Sequence, residues 1–111
     1  DYVAVDCKSA PGAYYPAFSG QKGAGEGLES TAALLRASGV AHEFRTTCVS
    51  PFVGEEQLEA MAGLVKDSPW YLQRARLDVA MREKGLYPLS TEDIDAFAAR
   101  CAEYGLAPLI R

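Results

Sequence analysis

The feature that most constrains the fold of this chain is an alternation of short apolar segments with longer segments of helical period. Tyr2–Asp6 is apolar and rich in β-branched and aromatic residues, which is typical of a strand buried on both faces of a parallel sheet. A second segment of this kind covers 44–49, a third begins at Trp70, and a short fourth covers 106–110. These segments predict four strands.

Helical periodicity fills three of the intervals between these strands. Ser90 precedes the last helix as its N-terminal cap, while Gly39 and Gly105 follow the first and last helices as C-terminal caps. The order of elements predicts an α/β fold of parallel βα repeats with right-handed crossovers, either an open sheet or part of a TIM-like α/β barrel. The apolar residues that define the helices are Leu28, Ala32, Leu35, Leu58, Met61, Ala62, Val65, Ile94, Phe97, Ala98 and Cys101.

Composition limits the partners of the chain. Its 111 residues are 49% hydrophobic and predict a single domain over 1–111. The net charge of -4 and the scattered Lys and Arg residues give no basic surface for nucleic acid. No apolar run approaches the roughly 20 residues of a membrane helix, and the first residues do not resemble a leader. We therefore expect a cytoplasmic protein with neither a nucleic-acid nor a membrane partner.

The cysteines and the one histidine predict no metal site. Cys7, Cys48 and Cys101 are far apart and form no CxxC pair, so they match neither a disulfide framework nor a zinc site. Each is expected to be a small buried hydrophobic residue. His42 lacks a partner at metal-ligand spacing, and we expect it on the surface or in a loop.

Polar residues gather where the predicted strands end, which is where α/β folds bind ligands. Asp6 and Lys8 are two apart, so on an extended backbone their side chains point the same way. Arg45 lies in an apolar strand, where a guanidinium needs a carboxylate, phosphate or ligand as partner. Two interpretations are open, a ligand pocket or an internal salt bridge between Arg45 and Asp6. The strand-end polar residues are Asp6, Lys8, Arg45, Thr46, Thr47, Gln73, Arg74 and Arg76.

A set of short motifs spread over nearly the whole chain resembles a known enzyme group. Asp-Cys-Lys at 6–8 is followed by Glu-Phe-Arg-Thr-Thr at 43–47 and Tyr-Leu-Gln-Arg at 71–74. In this combination the chain resembles the radical S-adenosylmethionine activating enzymes, which include the activases of pyruvate formate-lyase and of anaerobic ribonucleotide reductase. Further matching residues are Pro11, Tyr14, Gly20, Ser30, Leu34, Ser38, Gly39, Val40 and Arg76.

The resemblance implies a partial or complete α/β barrel and a defined cofactor chemistry. In that family a CxxxCxxC loop holds a 4Fe-4S cluster, which reduces S-adenosylmethionine to a 5′-deoxyadenosyl radical that abstracts hydrogen from a glycyl residue of a partner enzyme. The resemblance implies S-adenosylmethionine contacts for Asp6, Lys8 and Arg45, and suggests them for Gln73 and Arg76. No CxxxCxxC motif is present, so we expect the C-terminal part of such an enzyme, without the cluster-binding part and without catalysis of its own.

Two functions from different classes follow. The first is the C-terminal segment of a radical S-adenosylmethionine oxidoreductase that activates a glycyl radical enzyme such as anaerobic ribonucleotide reductase. The alternative is a stand-alone α/β module that binds a ligand or a protein without catalysis. In either case a few parallel strands with one sheet face left uncovered would expose an apolar surface, so we expect a homodimer that covers it.

Overall fold

A computed structural model describes residues 2–10, 24–76 and 78–111 of the chain. Within these ranges strands and helices alternate, as the apolar pattern predicts. The elements are β1 (Tyr2–Asp6), α1 (Ala24–Ser38), β2 (Ala41–Ser50), α2 (Glu55–Val65), β3 (Trp70–Arg74), α3 (Val79–Glu83), β4 (Tyr87–Pro88), α4 (Thr91–Cys101), a 3₁₀ turn (Ala102–Tyr104) and β5 (Leu109–Ile110).

The strands form one sheet in the order β1-β2-β3-β5, and neighbours along this path run parallel. This confirms the predicted α/β fold of parallel βα repeats. The short strand β4 pairs antiparallel with the end of β2. Neither β4 nor α3 was predicted, because two and five residues are too few to show a period. Among the described helices, none combines the length and apolarity needed to cross a membrane.

One face of the sheet packs against α1, α2 and α4 and forms the hydrophobic core. Successive side chains of a strand point to opposite faces, and in β2 this places Phe44, Thr46 and Cys48 against the helices, each fully buried. Leu72 of β3 lies in register with Thr46 and is also fully buried. The core cluster comprises Cys7, Ala32, Phe44, Cys48, Val53, Leu58, Met61, Leu64, Val65, Trp70, Leu72, Ile94, Phe97 and Cys101.

The other side of the sheet, here called the open face, does not match the expectation for β1. Tyr2 is 58% exposed, and Ala4 and Asp6 are also exposed, so the prediction that β1 is buried on both faces was wrong. The physical reason is that α1, α2 and α4 all pack against the opposite face. By register and strand alternation, the open face carries Tyr2, Ala4, Asp6, Glu43, Arg45, Thr47, Tyr71, Gln73 and Leu109.

The open face is also more polar than the expected dimer requires. It carries Glu43, Arg45 and Asp6. The homodimer was expected because an apolar sheet face would need to be covered by a second copy. Charged side chains keep such a surface hydrated without a second copy. The homodimer therefore stays a prediction, without the apolar patch as its reason.

The helix ends follow the predicted capping signals. The Ser90 Oγ accepts a hydrogen bond from the backbone N–H of Asp93 at 3.0 Å and so caps α4. Gly105 adopts a φ of 75° at the end of the 3₁₀ turn, a left-handed conformation that favours glycine. Gly39 adopts a φ of 72° directly after α1, in the same left-handed region. All three predicted caps are confirmed, since each depends only on neighbouring residues.

Candidate functional site

A cavity of about 350 Å³ lies on the open face beside the carboxyl end of β1. One part of its wall is polar and the other is apolar, a combination that orients a small ligand while removing it from water. The apolar part comes from the end of β2, the residues that follow it, α3 and the approach to β4. The lining residues are Asp6, Lys8, Arg45, Thr47, Val49, Phe52, Met81 and Leu86.

Three of the five predicted site residues line this cavity together. Asp6 and Arg45 are register partners on β1 and β2, and Lys8 follows two residues after Asp6, beyond the end of the strand. Parallel pairing places Asp6 and Arg45 side by side on the same face. Two cationic groups and one carboxylate thus face a single small volume, and this arrangement suits a zwitterionic or anionic ligand.

The other two predicted residues do not line the cavity. Gln73 lies on the open face in register with Thr47 and is half-buried. Arg76 is exposed, two residues beyond the end of β3. The structure therefore groups Asp6, Lys8 and Arg45 and leaves Gln73 and Arg76 outside the group.

His42 was expected on the surface or in a loop; it lies in strand β2, which begins at Ala41, and not in a loop. The ring is half-buried, with Nδ1 2.8 Å from the Val40 carbonyl oxygen and Nε2 2.7 Å from the Ser68 Oγ. A carbonyl only accepts, so Nδ1 donates to Val40, while Nε2 pairs with the Ser68 hydroxyl, whose oxygen also lies 3.4 Å from the Lys66 carbonyl oxygen. Both ring nitrogens are thereby used within the protein, at the strand end opposite the cavity.

Glu43 connects the cavity to the rest of the open face. Its carboxylate accepts a hydrogen bond from the Tyr2 hydroxyl on Oε1 and another from the Arg45 Nε on Oε2, both at 2.7 Å. The Arg111 Nη1 lies 3.5 Å from the same Oε2, and the Arg111 guanidinium stacks 3.7 Å from the centre of the Tyr71 ring. Glu43 is only 4% exposed. Arg45 therefore pairs with Glu43, and no salt bridge to Asp6 forms within the described part of the chain.

This pairing shifts the protonation equilibria of its members. The hydrogen bond from Arg45, and then that from Tyr2, holds the pKa of Glu43 below its ordinary value. The same bonds raise the pKa of Arg45 and that of the Tyr2 hydroxyl. The carboxylate is thus ionised and the two donors keep their protons at neutral pH.

We expect part of the acid sensitivity of this protein to come from Glu43. Because its pKa is lower in the folded than in the unfolded chain, its contribution to stability is present above the unfolded pKa of about 4.3. That contribution is lost as the pH falls through the lower folded value. Urea unfolding between pH 7 and pH 3 should therefore show a steeper loss of stability for the wild type than for Glu43→Gln. Equal pH slopes for the two proteins would contradict this.

A buried chain of hydrogen bonds fixes the backbone that carries Asp6 and Lys8. The Trp70 Nε1 donates to the Thr46 Oγ1 at 2.9 Å, and the Thr46 hydroxyl donates to the Cys7 carbonyl at 2.6 Å. The Cys7 N–H donates to the Arg45 carbonyl at 2.8 Å. Because Cys7 stands between Asp6 and Lys8, which both line the cavity, these bonds hold the backbone of both residues in place.

The three cysteines do not fit an iron–sulfur cluster. All three belong to the hydrophobic core and are fully buried, which confirms the expectation of small buried hydrophobic residues. Burial raises the pKa of the Cys48 and Cys101 thiols to about 11, whereas a cluster requires thiolates. The described residues also contain no group of three or more His, Cys, Asp or Glu side chains that could hold a metal ion.

The sequence interpretation named Glu43 only as part of the motif at 43–47 and missed that it is the partner of Arg45. A signal for it exists, since Glu43 and Arg45 are two apart in a strand and so share a face. Thr47 continues the same row and was noted as a strand-end polar residue. The apolar wall had no comparable signal, because Phe52, Met81 and Leu86 approach the cavity from three separate segments.

The fold is that of a known enzyme domain. The chain is similar to the crystal structure of a domain of pyruvate-formate lyase-activating enzyme from Bacteroides vulgatus ATCC 8482, with a TM-score of 0.74 and 14% sequence identity. The similarity covers 99% of this chain and 66% of that one, slightly under two thirds of its length. No protein-family model and no curated protein matches the sequence. The fold implied by the resemblance is thus confirmed.

Proposed function

We propose that the chain forms the S-adenosylmethionine-binding part of a radical S-adenosylmethionine activating enzyme whose target is a glycyl radical enzyme such as anaerobic ribonucleotide reductase. One observation carries the proposal: Asp6, Lys8 and Arg45 line one cavity at the carboxyl end of β1. They do so in a fold shared with an activating-enzyme domain.

The chemistry of the cavity suits this ligand. S-adenosylmethionine carries an α-carboxylate, an α-ammonium and a sulfonium, together with an apolar carbon chain and an adenine ring. Lys8 and Arg45 offer cations for the carboxylate, and Asp6 offers a carboxylate for the cationic groups. A volume of about 350 Å³ lies in the range of small-molecule sites. The apolar part of the ligand would contact Val49 and Met81.

The proposal assigns the iron–sulfur cluster to another part of the parent enzyme. The described residues offer neither exposed thiolates nor a convergent metal-binding group. When bound, the cluster supplies the electron that cleaves S-adenosylmethionine. The role proposed for this chain is to bind and orient the ligand, and we expect it to cleave none by itself.

We expect the purified chain to bind S-adenosylmethionine, and Lys8→Ala and Arg45→Ala each to weaken binding by about tenfold or more. Each substitution removes one charge-assisted contact, which is worth about 1.5–3 kcal/mol. Isothermal titration calorimetry measures the affinity. Lys66→Ala serves as the matched control, because Lys66 is exposed at the end of α2 and does not line the cavity.

Two results would contradict the proposal. The first is a folded wild-type chain that binds no S-adenosylmethionine at millimolar concentration, which would favour the stand-alone binding module. The second is an equal loss of affinity in Lys66→Ala and Lys8→Ala. That result would show that the affinity depends on the net charge of the protein and not on the residues of the cavity.

A further inference from the structure

Arg45 uses only one of its side-chain donor groups toward the described residues of the protein. A guanidinium carries five N–H donors, and the Nε–H bond to Glu43 is the one side-chain hydrogen bond that Arg45 makes to the described residues. The side chain remains 38% exposed and lines the cavity. Its two terminal nitrogens thus stay available beside Asp6 and Lys8.

Glu43, in contrast, is held from several directions. Its side chain is 6% exposed, and it receives Tyr2 from β1 and Arg45 from β2, with Arg111 nearby after β5. Three separate segments therefore fix the position of one carboxylate. A carboxylate held in this way can in turn restrict the flexible side chain of Arg45.

The form of the pairing matters as much as its presence. An ion pair is strongest when both carboxylate oxygens accept hydrogen bonds from one guanidinium in a bidentate arrangement. Here Oε1 accepts from the Tyr2 hydroxyl instead, and only Oε2 bonds to the Arg45 Nε. The pairing therefore has one hydrogen bond fewer than a bidentate pair. The two terminal nitrogens of the Arg45 guanidinium remain for another partner.

We propose that Glu43 is a positioning residue. By accepting the hydrogen bond from the Arg45 Nε, it orients the guanidinium so that its two terminal nitrogens face an anionic group of the ligand. This inference rests on the proposed function only for the identity of that group, the α-carboxylate of S-adenosylmethionine. The holding of Arg45 by Glu43 is a property of the ligand-free protein.

The first test is a double-mutant cycle on the affinity for S-adenosylmethionine. Glu43→Gln should weaken binding by about tenfold in the wild-type background and by less than about twofold in the Arg45→Ala background, because its effect passes through Arg45. A merely structural role would weaken binding equally in both backgrounds. That result, or an unchanged affinity of Glu43→Gln itself, would overturn the proposal.

A second variant separates position from charge. Glu43→Asp keeps the negative charge but draws the carboxylate back by one methylene, away from the Arg45 Nε. We expect it to lose affinity as Glu43→Gln does, and wild-type affinity in a folded Glu43→Asp protein would overturn the proposal. If Glu43→Gln does not fold, as judged by its amide NMR spectrum, the cycle is run with Glu43→Asp.

A third measurement needs no S-adenosylmethionine. The Nε–Hε NMR signal of Arg45 in the ligand-free protein should exchange slowly with water and should shift on addition of sulfate, and both properties should be lost in Glu43→Gln. Glu59→Gln, an exposed change on α2, is the control. If these expectations hold but S-adenosylmethionine does not bind, the proposed function fails and the positioning role stands. If S-adenosylmethionine binds but the Arg45 signal is the same with and without Glu43, the positioning role fails alone.

Discussion

Replacing Leu72 by alanine is expected to lower the free energy of unfolding by about 2–5 kcal/mol, a large part of the 5–15 kcal/mol typical of a domain. Leu72 is fully buried in β3, which lies between β2 and β5. Its side chain belongs to the core cluster beneath the helices. Truncation removes buried apolar surface and leaves a cavity between regular elements that cannot collapse freely.

Leu34→Ala is the matched control for this prediction. Leu34 lies on α1 with 68% of its surface exposed, and alanine is a better helix former than leucine, so the change in stability should stay within about 0.5 kcal/mol. Equilibrium unfolding in urea measures both variants. Similar unfolding midpoints for Leu72→Ala and Leu34→Ala would contradict the placement of Leu72 in the hydrophobic core.

The second large effect is expected for Thr46→Val, at about 2–4 kcal/mol. Valine has nearly the same shape as threonine but no hydroxyl, so the Trp70 Nε1 loses its acceptor and the Cys7 carbonyl loses the Thr46 donor. Each buried polar group left unpaired costs about 1–3 kcal/mol. Under the proposed function the affinity for S-adenosylmethionine should fall as well, because Cys7, between Asp6 and Lys8, keeps its N–H bond to the Arg45 carbonyl but loses the hydrogen bond from Thr46.

Thr47→Val provides the comparison for Thr46→Val. The two threonines are adjacent in β2, but Thr47 is exposed on the open face, so its replacement should change stability by no more than about 0.5 kcal/mol. Trp70 is the one tryptophan of the sequence, and its fluorescence reports both the unfolding and the loss of its hydrogen bond. Equal destabilisation by the two substitutions would show that the buried hydrogen bonds are not the cause.

Among the described elements, local patterns in the sequence were enough to predict four of the five strands and three of the four α-helices, in the right order. The run Tyr2–Asp6 became β1 with the same bounds, and Ser90 and Gly105 act as caps in the way their residue types indicate. Such features depend on neighbours within a few residues. The strand predicted over 44–49 was too short at both ends, because β2 also includes polar residues such as His42 and Ser50, which pair with other strands.

The candidate site could be predicted only in part, for a physical reason. Asp6, Lys8 and Arg45 were found because parallel strands end at one edge of the sheet. The partner of Arg45 was not predicted, because strands were identified by their apolar residues and the predicted strand began at Phe44, after Glu43. The apolar part of the cavity wall includes Met81 and Leu86. They reach the cavity through long-range contacts, which local periodicity in the sequence does not predict.

The alternation along β2 has a consequence for how such a protein can change over evolutionary time. Even-numbered positions such as Phe44 and Cys48 serve the core, and odd-numbered positions such as Arg45 and Thr47 face the cavity. From position 44 onward, mutations that reshape the cavity and mutations that threaten folding therefore fall on separate sets of codons within one strand. A lineage, or a library randomised at Arg45, Thr47 and Val49, can explore new cavity shapes and charges without first acquiring compensating mutations in the core.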